Sequence, residues 1–580
     1  MFQGFRFGAR MSLKQRGGIT FAATLILAFG TFQSTPTPDL VIRHVTGIDV
    51  AGMRTSDDQR VVVRGGRITA IEPEQSVAPK ASTVIDATGK FLIPGLWDMH
   101  SHLTFYPGPP KGEDVTEVVL PLFVANGVLG TRDMGALDIA RMVRLREEVE
   151  AGKRVGPRMV VSGPQLDGPI AIDWTKQRVA NAAEARQAVR ALKEAGANFV
   201  KVYDRLSKES YLAIAEEAKL VGLTFAGHIP LAMTAREAIE AGPSSIEHMG
   251  GGKLRAECFG YLHEGESPPP DSDPQQTARV KEAINEAFAG KLAPAVWADG
   301  ALAWLNSAVG KGAIATLSRD LGPVESLIAL RRRPVTTGVE LCVLARHTKG
   351  ERNYKFHIDQ SGHSEKIDWL FDEPDVLAPG RLQKLAELLI ARRVWLTPTL
   401  TPKYGLAARS DLVKNPDPRL IYVHPEVRRQ LDPRNNPSLR SLTGADWEFM
   451  KRDYAREASL AVLLHKAGVR LLAGTDAVTD YCLPGFALHD ELALLVKAGL
   501  SPGEALRTAT LNPAEFLGLE KDLGSIDIGK RADLVMLQRN PLNDIHNTTS
   551  IWGVIRAGQY FNRAELDRML ETVRVRVNRN

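Results

Sequence analysis

Four of the chain's 13 histidines close apolar runs: His100 and His102 in FLIPGLWDMHSH (91–102), His228 in LTFAGHI (223–229) and His248 in SSIEHM (244–249). His100 and His102 are two apart, so on a strand both rings point to one face, the spacing that lets two imidazoles share one ion. Taken alone, an HxH pair is weak among so many histidines, and His228 and His248 each read equally well as capping or core residues. Lys201 interrupts NFVKVYD (198–204), a run otherwise suited to burial. A buried amine is costly unless paired or deprotonated, and its ordinary reading is an ion pair across the core. Asp476 ends VRLLAGTD (469–476), where an Asp is more often a helix N-cap than a catalyst.

These groups need elements to hold them. Apolar runs of four to eight residues alternate with helical periodicity from residue 91 to 476, the pattern of βα units and a parallel sheet. The runs are 91–102, 127–135, 158–164, 198–204, 223–229, 244–249, 393–400 and 469–476. Eight of them predict an α/β fold of (β/α)₈ TIM-barrel type. The helices NAAEARQAVRALKEAGA (181–197) and SYLAIAEEAKLVG (210–222) carry apolar residues at three- and four-residue spacing and stop at Gly196 and Gly222, as helices commonly do. Outside the barrel region, LVIRHVTGIDV (40–50), RVVVRGGRITAIE (60–72), STVIDATGKFLIP (82–94), ADLVMLQ (532–538) and IWGVIRAGQYF (551–561) are short, turn-punctuated strands. The Gly-Gly within 62–71 signals a hairpin. Strands from the two ends would stabilise each other in a single small β domain.

On such a barrel, five strands present His100, His102, Lys201, His228, His248 and Asp476 at the C-terminal rim, where barrel enzymes keep their chemistry. Four imidazoles and a carboxylate exceed what one tetrahedral zinc needs, and an ammonium cannot ligate. Two divalent cations resolve both problems. Between them the lysine would lose its proton, and its amine could take up carbon dioxide as a carbamate.

WDMHSHL, NFVKVYD, FAGHIP, SIEHMG and LLAGTDA, in this order, resemble the motif set of the metal-dependent amidohydrolase superfamily, in its imidazolonepropionase-like and Xaa-Pro dipeptidase-like branch. The resemblance runs over about 40–250 and 380–560. It implies a (β/α)₈ barrel flanked by a β-sandwich and hydrolysis of C–N bonds in amides, peptides or cyclic amides. It further implies that His100, His102 and Asp476 hold the more buried metal, that His228 and His248 hold the more exposed one, and that carboxylated Lys201 bridges them. The expected chemistry is a metal-bridging hydroxide attacking the scissile carbonyl, with Asp476 as base and then acid. Zinc suits the imidazole-rich set; manganese, iron or cobalt would also fit. Tyr203 and Arg205 are weaker candidates for substrate binding, with a barrel-core tyrosine as the alternative for Tyr203. The same centre could serve a lactonase, an esterase or a deaminase, and a non-catalytic metal-binding envelope protein is the rival outside enzymology.

The domain plan is 1–37 as signal and linker, 38–92 and 516–580 as the two parts of the β-sandwich, and 93–515 as the barrel. Residues 250–380 form a long insertion between barrel strands 6 and 7, either a lid or a peripheral subdomain or oligomer contact. Within it PPPDSDP (268–274) reads as linker, VKEAINEAFAGKLAP (280–294) as helix and TTGVELCVLARHTKG (336–350) as strand. Arg6, Arg10, Lys14 and Arg16 precede the apolar stretch 19–32 and then QSTPTPD, the order of an export signal, which predicts a periplasmic or extracellular protein with no stable membrane span after cleavage. With Lys+Arg 73 against Asp+Glu 68 over 580 residues and no long basic run, nucleic acid is excluded as a partner and a small-molecule or short-peptide substrate is expected, with a homo-oligomer compatible. Cys258, Cys342 and Cys482 lie far apart, which excludes a disulfide scaffold and a cysteine zinc site and leaves room for one bridge.

Overall fold

A computed structural model of the chain describes residues 39–579 except 75–79, 105–113, 170–175, 231, 260–325, 336–337, 348–349, 360–363, 371–379, 433, 436–443 and 478–481. The export segment, the linker 268–274 and the helix 280–294 lie outside the described residues.

The first strands are β1 (Leu40–Asp49), β2 (Arg54–Arg64), β3 (Arg67–Pro73), β4 (Thr83–Asp86) and β5 (Phe91–Pro94). Gly65 and Gly66 both have positive φ, at 55° and 71°, which closes the β2–β3 hairpin with Arg64 opposite Arg67 as a two-residue turn requires. The run expected as one strand over 91–102 is two. Pro94 has no N–H to continue the ladder, and a Cβ on Gly95 would meet Leu129 at 2.9 Å, so the chain leaves one sheet there and enters another as β6 (Leu96–Ser101).

The following strands are parallel: β7 (Val128–Asp133), β8 (Arg158–Val161), β9 (Gln165–Asp167), β10 (Lys176–Arg178), β11 (Phe199–Val202), β12 (Thr224–Gly227) and β13 (Ser245–Glu247). β6-β7-β8 form one hydrogen-bonded set, and β10-β9-β11-β12-β13 continue into β18 (Trp395–Thr397) in another. Backbone bonds join their edges. Asn198 N–H donates to Val161 O at 2.8 Å, and residues 470–477 pair with both sides, Leu396 N–H to Arg470 O at 3.0 Å and Met99 N–H to Ala473 O at 2.9 Å. This last stretch makes isolated bridges at Leu471 and Ala477 and is not a named strand. Helices between the strands bury one face. In Ala182–Glu194 the buried residues are Ala185, Ala188, Val189 and Leu192, Asn181 caps the start, and Gly196 follows at φ 90°.

The insertion contains an antiparallel meander: β14 (Ser326–Val335), β15 (Gly338–His347), β16 (Gly350–Asp359) and β17 (Ser364–Leu370). β15 is the strand expected from 336–350; its three companions were not anticipated, because Arg-, Lys- and His-rich runs hide their alternation. The helix Gly444–Lys466 was also missed. At the far end β19 (Leu534–Leu537), β20 (Ile551–Arg556) and β21 (Gln559–Asn562) join the first strands in one sheet of order β21-β20-β19-β5-β1-β2-β3, with β4 paired to β1. The two chain ends thus share a single hydrogen-bonded sheet. Among the described residues no helix is long and apolar enough to cross a membrane.

Candidate metal centre

Alternation along β6 places Asp98 and His100 on one face, and His102 follows directly after the strand. Asp98 is fully buried and accepts from the Thr475 N–H at 3.1 Å and the Thr475 hydroxyl at 2.6 Å, which pins residues 470–477 against β6. Burial pushes its carboxyl up to about 6. Gly474 lies at the contact, where a Cβ would stand 2.6 Å from Thr397 and 2.7 Å from His100. Asp476 follows with φ 54° and turns its carboxylate to 3.1 Å from His102 Nε2 and 3.4 Å from His100 Nε2. Burial raises that carboxyl, but the neighbouring His248 and the bonds from His100 and His102 overturn this and hold it well below the usual range.

The rings gather within a small volume. Centroids are 5.5 Å apart for His100 and His102, 4.5 Å for His100 and His248, and 4.8 Å for His228 and His248. Each Nδ1 faces a partner outside the cluster: Glu247 at 2.7 Å from His100, Gly135 O at 3.5 Å from His102, Asp204 at 2.7 Å from His228 and Thr399 at 2.6 Å from His248. A carboxylate can only accept, so His100 and His228 carry the Nδ1 proton and turn Nε2 away from these partners. Burial lowers the affinity of His102, His228 and His248 for a second proton, whereas at His100 the Asp476 and Glu247 carboxylates outweigh burial and raise it. Neutral rings with a free nitrogen are what metal ligation needs.

Lys201 is fully buried on β11, and its Nζ has no hydrogen-bond partner among the described residues. Burial pushes the amine down to about 8, against the pull of the Glu247 and Asp476 carboxylates. The ion pair across the core, the ordinary expectation for such a lysine, is not formed; Glu247 pairs with Arg132 at 2.9 Å. A buried, orphaned amine beside converging imidazole nitrogens and a carboxylate is a donor set that fits divalent cations. His100, His248 and Asp476 each offer an atom within 4.8 Å of the others, a cluster able to hold a metal ion. His102 and His228 complete the ring of histidines around it.

Tyr203 lies just beyond the end of β11, half-buried, with its ring tilted over His228 at 4.2 Å between centroids and Lys176 Nζ 4.0 Å above it. Arg205 enters through its backbone, whose N–H donates to Asp167 at 2.7 Å. The sequence reading missed Glu247, Asp204, Asp98, Arg132, Thr399 and Glu491. The first three stand near candidate ligands within the quoted motifs, Asp98 and Glu247 beside histidines and Asp204 beside Lys201, so a search for acceptors flanking each candidate would have found them. Glu491 gave no such signal.

Residues 91–260 and 370–560, more than half of the chain, match the Amidohydrolase family. An imidazolonepropionase of Symbiobacterium thermophilum is 35% identical over 97 residues, 17% of this chain and 22% of that protein. Adenine deaminase 2 of Agrobacterium fabrum is 43% identical over 81 residues, 14% and 13% of the two chains. These matches therefore span less than a quarter of each relative. Among solved structures, a prolidase-type protein from Bifidobacterium longum aligns over 93% of this chain and 99% of its own with a TM-score of 0.54 at 22% identity. A bottromycin amidohydrolase aligns over 93% and 90% with a TM-score of 0.58 at 19% identity. The likeness to these structures is one of α/β fold.

Proposed function

Because the chain belongs to the amidohydrolase family, we propose that it is a metal-dependent hydrolase of C–N bonds, working with two divalent cations on amide, short-peptide or cyclic amide substrates. The observation that carries this reading is the meeting of four imidazoles, one carboxylate and an unpartnered buried lysine at one end of the parallel strands. His100, His102 and Asp476 are the proposed ligands of one cation and His228 and His248 of the other, with carboxylated Lys201 as the bridge. Cations bound there, zinc by preference, would supply Lewis acidity to the scissile carbonyl and acidify a water at neutral pH.

The chain's own residues do the rest. Asp476, kept ionised by its neighbours, accepts the water's proton and delivers it to the leaving nitrogen. Tyr203 at the rim offers a hydroxyl to the substrate carbonyl or carboxylate, with Arg205 on the same loop. The proposed scaffold is a closed (β/α)₈ barrel over 93–515, with the shared end-sheet as the flanking sandwich and residues 1–37 as an export signal. An Xaa-Pro dipeptidase-like activity is the specific reaction favoured, supported by the fold shared with the prolidase-type structure.

The test is metal analysis of the purified protein with mass measurement of Lys201, followed by turnover on Xaa-Pro and other dipeptides, N-acyl amino acids, lactones and adenine. Two metal equivalents with dipeptide cleavage support the reading. Adenine or lactone turnover alone would redirect it to a deaminase or lactonase, and metal without any turnover would leave a binding protein.

A further inference from the structure

Thr399, between β18 and the helix Leu400–Ala407, is buried with a left-handed φ of 48°. For a β-branched residue that conformation is an outlier, costing about 1–3 kcal/mol and surviving only where the surroundings over-determine it. Its own side chain does not cap the helix it precedes. Glu491, fully buried on the helix Phe486–Ala498, does so from outside. One carboxylate oxygen accepts the Leu400 N–H at 3.0 Å; the other accepts the Thr401 N–H at 2.8 Å and the Thr401 hydroxyl at 2.6 Å. The first amides of the helix, which lack intrahelical partners, are thereby satisfied and fixed in place.

This clamp leaves the Thr399 hydroxyl for another task. It donates to Pro398 O at 2.8 Å and faces His248 Nδ1 at 2.6 Å. A hydroxyl has one proton, so when that proton goes to Pro398 O the oxygen can only accept from His248. That arrangement puts the ring's proton on Nδ1 and its lone pair on Nε2. His248 leaves an irregular turn, with His248, Met249, Gly250 and Gly251 all left-handed at φ 53°, 52°, 65° and 61°. The contact with Thr399 is the one that engages its Nδ1.

We propose that Thr399 and Glu491 are positioning residues for His248: Glu491 locks the start of the helix so that the Thr399 hydroxyl meets Nδ1 and sets the tautomer with which His248 binds a divalent cation. The inference rests on the metal-centre reading above. Neither residue is assigned contact with metal or substrate.

The test is zinc titration of the chelator-stripped full chain, comparing wild type with Thr399→Val, Thr399→Ser and Glu491→Gln, alongside thermal unfolding of the metal-free proteins. Thr399→Val, which keeps the shape and loses the acceptor, is expected to weaken one binding step by ~10–100-fold, while Thr399→Ser restores it and metal-free stability changes little between the two. Glu491→Gln is expected to weaken the same step. Selective ¹⁵N-histidine labelling of the metal-free wild type adds a readout independent of any variant's folding, with His248 expected as the Nδ1–H tautomer. Wild-type affinity in Thr399→Val, or an Nε2–H tautomer for His248, overturns the proposal. Failure of wild type itself to bind zinc overturns the metal-centre reading and this inference with it, and is distinguished by needing no variant.

Discussion

The six residues proposed to hold the cations depend on a ring of acceptors behind them, and mutation should separate the two roles. His228→Ala is expected to lose metal and turnover together, whereas Asp476→Asn should keep at least one metal and lose turnover by ~10²–10⁴-fold, the usual contribution of a proton-transferring group; metal content measured beside kcat decides it. Full activity in Asp476→Asn would remove that residue from the chemical step. Glu247 is a different case. It takes both His100 Nδ1 and the buried Arg132 guanidinium, which also donates to Ser245 and to Met99 O. Glu247→Gln strands a buried cation, and removing one partner of such a pair costs about 3–5 kcal/mol. Its metal-free unfolding temperature should fall sharply, a loss that Asp476→Asn should not share. The proposed ligands were legible as residues in motifs. Their acceptors were half-legible: Glu247 adjoins His248, but its bond to His100 joins positions 147 residues apart, a separation that local pattern does not encode.

Each element carries its ligands only as well as it packs. Residues 470–477 are not a ladder-forming strand; they are held between β18 and β6 by a few backbone bonds, by Asp98 and by the absence of a side chain at Gly474. Gly474→Ala should press on His100 and Thr397, costing about 1–3 kcal/mol and weakening metal binding, with zinc titration and thermal unfolding as the measurements; unchanged metal affinity would show that this stretch has slack. A second element-scale test lies away from the centre. His489, on the helix Phe486–Ala498, is buried between Thr548 at 2.9 Å and Asn126 O at 3.0 Å, and burial pushes it down to about 4. The unfolded chain then binds the proton more tightly, so stability from this residue is intact above the ordinary value of 6.5 and falls as pH drops toward 4, by about 3 kcal/mol in all. In His489→Gln the loss of stability between pH 7 and 4.5 should be smaller, as denaturant unfolding at each pH would show. Helix faces and their glycine stops, as at Gly196, followed from periodicity. The break at Gly95 did not, because it depends on Leu129 being there to exclude a side chain.

At the scale of the molecule, the family match is interrupted between residues 260 and 370, and no proposed ligand lies in that gap. Replacing 261–369 with a short Gly/Ser linker should therefore leave zinc stoichiometry unchanged; a shift in KM with kcat retained would mark the segment as part of the substrate entrance, whereas loss of metal would show that it supports the centre. The chain ends meet in one sheet through β5 and β19, more than 400 residues apart in sequence, which the matching short strands at both ends had suggested. The four-stranded meander was visible only at β15. By itself the sequence determined which residues could ligate and the α/β class, because residue type and the periods of strands and helices are local properties. Only the tertiary structure decided that Lys201 is unpaired, that Glu247 serves His100, and that Glu491 stands behind Thr399. Those relations join side chains brought together by packing, and their energies depend on burial and distance that no stretch of sequence carries.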